Sequence, residues 1–255
     1  MINQIRADFY RQSHTRGVWL TALLTVAYSA AICWFQAPGG IMVNAPQHML
    51  QDLATKKWTV YDGIRSAMIS SSVLVYLFIG LFVIVIGYEF SQHTYKNTLL
   101  TGISRLGFIL GKYVTLLADL FLGMALYFAT ALVVGLLHGL PGGDWTATAK
   151  LVGGGVVMST FFVSVVFSLA LLLLILTRST VMAAVFIVVW PLAISLLSIA
   201  TEWHWLSYFD FFNTESGIAF KLIAQGDIWR YILVSAVVLV GSIGVATVLI
   251  RRQEL

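Results

Sequence analysis

The chain has 255 residues, 59% of them hydrophobic and only 10% charged, with a mean hydropathy of +0.90. Soluble domains are about half apolar and a quarter charged, so this composition excludes a soluble enzyme and leaves an integral membrane protein. The formal charge of +4 does not point to nucleic acid, because the basic residues sit at the ends of apolar runs, where they meet anionic headgroups.

Residues 1–16, MINQIRADFYRQSHTR, are too polar to span. On a helical wheel Ile2, Ile5 and Phe9 share one face, and Arg6, Asp8 and Arg11 point elsewhere. This predicts an amphipathic helix lying in the headgroup layer. The run 17–35 is the first span, and it is longer than the core of a usual signal peptide, so it reads as retained. Pro38, Gly39, Gly40 and Pro46 then mark a loop, with a short surface helix predicted over His48–Tyr61.

A second span covers 64–87, with Ser66, Ser70, Ser71 and Ser72 near its start. Serines there pack against neighbouring helices, or in the sharper reading Ser70 lines a transport path. The polar segment 88–105, YEFSQHTYKNTLLTGISR, separates it from a third span at 106–137. Asp119 is the one ionisable residue deep within a span, so it is read evenly as a contact between helices or as a path wall. Lys112 and Thr115 lie on its face of the helix.

Spans four and five are 151–176 and 180–200. Gly153, Gly154 and Gly155 allow a close approach or a local break. The link Thr177-Arg178-Ser179 forces an antiparallel hairpin, and Pro191 predicts a kink. Residues 201–228 are rich in aromatic residues, with charges every few positions. Two short outer helices with Trp203, Trp205, Tyr208 and Phe212 at headgroup depth fit that pattern. The last span is 229–250.

Each of the six runs approaches the roughly 20 residues that cross about 30 Å of hydrocarbon. The predicted fold class is all-α integral membrane, one transmembrane domain over 1–255, with little sequence left for anything else. With the N-terminus inside, the inner segments carry Arg6, Arg11, Arg16, Lys96, Arg105, Lys112, Arg178, Arg251 and Arg252, against six basic residues outside. That excess orients both termini to the cytoplasm of a plasma membrane. Cys33 is the only cysteine, which rules out an intrachain disulfide. There is no phosphate-binding G-x-x-x-x-G-K-[ST] loop, no G-x-S-x-G elbow and no H-E-x-x-H motif, so no catalytic residues and no metal site are expected.

The inner segment carries a further pattern. Glu89 closes span two, Thr94 and Lys96 follow, then Leu99-Leu100, then Ser104-Arg105, and Lys112 opens span three. In this order the chain resembles the permease subunits of type 2 ATP-binding-cassette transporters, whose membrane fold is called the type V exporter fold. His93 and Gly102-Ile103 depart from the usual Gly and Pro, which suggests a divergent branch, similar to the small permeases of bacteriocin or antimicrobial-peptide immunity and export.

The resemblance implies an N-terminal interface helix, a coupling helix within 88–105 and short re-entrant helices before the last span. It implies that Glu89, His93, Thr94, Lys96, Leu99, Leu100 and Arg105 contact a separate ATPase that holds ATP and magnesium, and that this chain carries no cofactor. A second permease copy, membrane lipids and an amphiphilic substrate (peptide, drug or lipid-like) complete the expected partners, with no nucleic acid. Ser104 is the predicted N-cap of span three. The path candidates are Asp119, Ser70 and Pro191, and the outer-gate candidates are the four aromatics above. The rival reading is a proton-coupled carrier or a membrane-embedded enzyme using Asp119.

Overall fold

The computed structural model describes residues 2–37, 39, 58–100, 102–201, 203–220 and 223–252, so most of the surface helix expected over His48–Tyr61 lies outside the described residues. Among them every regular element is helical and none is a strand. Helix α1 spans Ile2–Ser13 and α2 spans Arg16–Phe35. Helix α3 runs over Val60–Ser91, interrupted by a 3-10 turn at Ser71–Val73 and a π turn at Val83–Gly87. The short α4 is Tyr95–Leu100, followed by α5 over Arg105–Leu137 and α6 over Trp145–Thr177. Helix α7, Thr180–Thr201, leads through a 3-10 turn at His204–Phe209 into α8, Phe211–Ala219, and α9, Ile228–Arg252. Six of these, α2, α3, α5, α6, α7 and α9, are long and apolar enough to cross a membrane.

Local chemistry sets the ends. Thr59 and Asp62 form a reciprocal capping box, which starts α3 at Val60. Asp144 accepts from the Thr146 and Ala147 amides, so α6 starts at Trp145. Ser104 accepts from the Gly107 amide at 3.1 Å and caps α5, as its position predicts. Arg178 adopts a left-handed conformation (φ 55°) that ends α6, and α7 turns back against it.

Helices α5 and α6 have 33 residues each, hence about 50 Å at the usual rise. Both exceed the hydrocarbon thickness. Helix α6 is the centre of the bundle: 67% of its apolar window is buried, against 28% for α2 and 22% for α9 at the rim. It runs unbroken through its three glycines. Only Gly155 is a close approach, since a Cβ there would stand 3.0 Å from the Phe128 ring, while Gly153 and Gly154 face open space. Phe78, Phe82, Phe108, Phe128, Phe162 and Phe167 fill the core between α3, α5 and α6. The rim turns Leu20, Leu23, Leu122, Val237 and Val240 outward, a surface suited to acyl chains and untenable in water.

Helix α1 turns its polar face, and not its apolar one, to the rest of the protein. Its buried stripe is polar: Gln4, Asp8 and Gln12, one turn apart, meet Phe108, Lys112 and Asp119 in that order. The helix therefore runs alongside the first turns of α5, in the same direction. Ile2 points away from the protein, and Ile5 and Phe9 are half-buried. The reason is that Glu89 on α3 and Lys112 and Asp119 on α5 present charged and polar groups that a polar helix face satisfies better than lipid does.

Candidate functional site

Four charges meet where α1, α3 and α5 converge. Lys112 is 1% exposed and donates to both Asp8 oxygens, at 2.7 and 2.9 Å, and to Glu89 Oε1. Arg11 donates to Glu89 Oε1 at 3.1 Å and to Asp8 Oδ1 at 3.4 Å. Two acids and two bases leave the cluster formally neutral, which offsets the cost of burying them. Burial pushes the Asp8 carboxyl above its ordinary range, and Lys112 and Arg11 pull against that shift. Lys112 and Arg11 thus meet carboxylates inside the protein, contrary to the expectation that the basic residues meet headgroups. Glu89 turns its carboxylate into the same cluster and not toward solvent.

Arg11 does a second job. It donates to the carbonyls of Ile84 and Val85, both at 3.2 Å, within the π turn of α3. Thr180 of α7 donates to the Gly87 carbonyl at 3.2 Å, at the end of that turn. A π turn displaces carbonyls from the regular ladder; here α1 and α7 supply the missing donors. The polar segment therefore leaves α3 from a point held by two other helices.

Helix α4 has two faces. Tyr95 and Leu99 are buried, with Tyr95 stacked on Phe90 at 4.7 Å and Phe90 packed 6.3 Å from Phe108. Thr94 and Leu100 are exposed, Leu100 at 71%, and Lys96 is half-exposed. His93, at φ 54°, makes the turn into α4 and stays on the surface. Beyond α4, Leu99, Ile103, Arg105, Leu106 and, from α9, Thr247 line an open groove of about 410 Å³. Of the seven residues that the sequence pattern selects for coupling, His93, Thr94, Lys96, Leu100 and Arg105 are presented outward or along this groove. Leu99 and Glu89 hold the segment from within. Phe90 and Tyr95, which anchor α4, are outside that pattern. An aromatic pair flanking the His93-Thr94 turn was the available signal.

The path candidates do not come together. Ser70 is fully buried; its hydroxyl donates to the Ser66 carbonyl at 2.9 Å and accepts from the Gly39 amide. Pro191 lies within α7, which continues through it. Asp119 lines a pocket of about 140 Å³ between α2, α3 and α5, with Thr21, Thr25, Phe78 and Leu122, and neither Ser70 nor Pro191 reaches it.

On the face opposite α1, Trp203 and Trp205 are exposed and stacked at 5.7 Å, and Tyr208 lies 4.7 Å from Tyr231 of α9. Phe212 belongs to α8, and its side chain is outside the described residues. The residue that sequence reasoning missed here is Glu215. It is buried, in hydrogen-bond contact with Ser71 of α3 and Ser159 of α6. Its one sequence signal is an acid on the same short helix as apolar Phe211 and Ile218.

Six helices long and apolar enough to cross a membrane, with a short two-faced helix on a braced loop between the second and third, define a multi-pass membrane protein. The chain belongs to the ABC-2 family transporter proteins, whose family model matches residues 5–194 and so includes α1, the charge cluster and α4. Comparison with curated proteins and comparison with solved structures each returned no match. The chain is thus the membrane permease of an ABC transporter, of a family that works with an ATPase subunit and is typically non-catalytic itself. Residues 195–255, with α8 and α9, lie beyond the matched region.

Proposed function

We propose that this permease exports an amphiphilic substrate (peptide, drug or lipid-like) when a separate ATPase docks on α4. The observation that carries the reading is the geometry of α4: anchored inward by Tyr95 and Leu99, bare outward at Leu100, and tied through Glu89 to α1 and α5. A push on such a helix reaches α3 through the Tyr95–Phe90 stack, and α1 and α5 through Glu89 at the end of α3. ATP and magnesium sit on the partner, and this chain carries no cofactor. The α1 face is cytoplasmic, with both termini there, which the excess of basic residues among the inner segments supports. Two permease copies, identical or sister chains, complete a transporter whose ATPases work in pairs. A bacterial source and the antimicrobial-peptide immunity or export branch fit the departures at His93 and Gly102-Ile103.

The test is co-purification with candidate ATPases, comparing the parent with Leu100→Asp. Burying a leucine contributes roughly 1.5–3 kcal/mol, so the variant should bind the ATPase at least about tenfold more weakly. Membrane insertion should be unaffected. Equal ATPase binding by Leu100→Asp rules out α4 as the docking element.

A further inference from the structure

We infer that the Asp119 pocket binds the ammonium head of a cationic amphiphile that reaches it sideways from the bilayer. The inference names a head group for the transported substrate and rests on the export reading only for the fate of the molecule once bound.

The pocket presents acceptors. Asp119 is 9% exposed, and its Oδ2 has no hydrogen bond among the described residues, although the Gln12 side chain faces it from α1. The Thr21 hydroxyl gives its proton to the Gly17 carbonyl at 2.9 Å, and Thr25 gives its own to the Thr21 carbonyl at 2.8 Å. A hydroxyl has one proton, so what these two lining residues can offer a ligand through their oxygens is lone pairs alone. The nearest base along α5, Lys112, is already paired with Asp8 and Glu89. A carboxylate and two hydroxyl oxygens match an ammonium group, which has three donors and no acceptor. Its charge also offsets that of a carboxylate within a span.

Size and position set the rest of the ligand. About 140 Å³ is below the roughly 300 Å³ at which drug-sized sites begin, so a head group and a few carbons fill it. Val18, Ala22, Phe78 and Leu126 make the remaining wall apolar. Leu122, which also lines the pocket, is 60% exposed on the outer surface of a span, so the mouth opens to acyl chains and the tail stays in lipid.

The test is saturable binding of radiolabelled dodecylamine to the purified full chain in nanodiscs of neutral phosphatidylcholine, without ATP. Asp119→Asn should weaken binding about tenfold or more, the size of one hydrogen bond to a charged group. Ala22→Leu, which fills the pocket and keeps the carboxylate, should weaken it too, and it decides the matter if Asp119→Asn fails to fold. Dodecanol should not compete. Dodecyltrimethylammonium, charged but without N–H, should compete about tenfold less well than dodecylamine. Undiminished binding in both variants, or equal competition by dodecanol, overturns the inference and leaves simple partition into lipid. Equal competition by the quaternary amine overturns the hydrogen-bonded pocket. Because no ATP is present, failure here leaves export by ATPase docking standing, and a chain that binds amine but no ATPase fails that reading alone.

Discussion

Asp8, Arg11, Glu89 and Lys112 show how a residue acquires its role from partners far away in sequence. Lys112 is 104 positions from Asp8 and 23 from Glu89. The sequence places Lys112 and Asp119 on one helix face, because that follows from helix periodicity alone. It does not reveal that α1 covers that face, because an isolated Asp8 reads as solvated. The i, i+4, i+8 spacing of Gln4, Asp8 and Gln12 was the one legible hint. The arrangement predicts an asymmetry. Lys112→Ala leaves two buried acids with Arg11 as their only base in the cluster, and breaking a buried pair costs about 3–5 kcal/mol. Adding Asp8→Asn to Lys112→Ala should return part of that loss, since the remaining Arg11–Glu89 pair is again balanced. Thermal unfolding of the three forms in nanodiscs reads this out. A Lys112→Ala chain as stable as the parent would mean the cluster contributes nothing.

At the scale of elements, α4 and α8 are both too short to span, and both are fixed by contacts that no periodicity reveals. Helix α4 depends on the Phe90–Tyr95–Phe108 stack. Tyr95→Ala should loosen α4, seen as faster proteolysis within 88–105 while the spans stay protected; unchanged cleavage would show that the stack does not hold it. Helix α8 depends on Glu215. Ser71 also hydrogen-bonds the Met68 carbonyl at 2.8 Å, and Ser159 the Gly155 carbonyl at 2.7 Å. Each hydroxyl has one proton. When both go to those carbonyls, Glu215 must carry its own proton to keep a hydrogen bond. Burial accordingly pushes its carboxyl up to about 8. The folded value lies above the ordinary one, so this contribution to stability is complete below the ordinary carboxyl range. It falls as pH rises through about 8. The unfolding midpoint should therefore drop between about pH 4.5 and about pH 8 and level off above that, and Glu215→Gln should flatten the drop. An equal drop in Glu215→Gln would assign it to other groups.

At the scale of the whole molecule, the six spans were legible because crossing hydrocarbon imposes a length and an apolar composition that the chain states directly. The loop was legible too, since polar residues between two spans have few places to go. The pocket at Asp119 and the Glu215 contact were not, because each needs three helices at once. Orientation is the property on which docking, export direction and the reach of α1 all depend. Gln92, in the α3–α4 turn, and Asp144, at the cap of α6, lie at opposite ends of the bundle and are both exposed. The native Cys33 is fully buried, so a cysteine introduced at either position reports alone. A membrane-impermeant maleimide should label Gln92→Cys only in inside-out vesicles and Asp144→Cys only in intact cells. The physical cause is the retention of Lys and Arg on the cytoplasmic side during insertion. Reversed labelling would put α4 outside the cell, beyond the reach of any ATP-hydrolysing partner, and the docking proposal would fall with it.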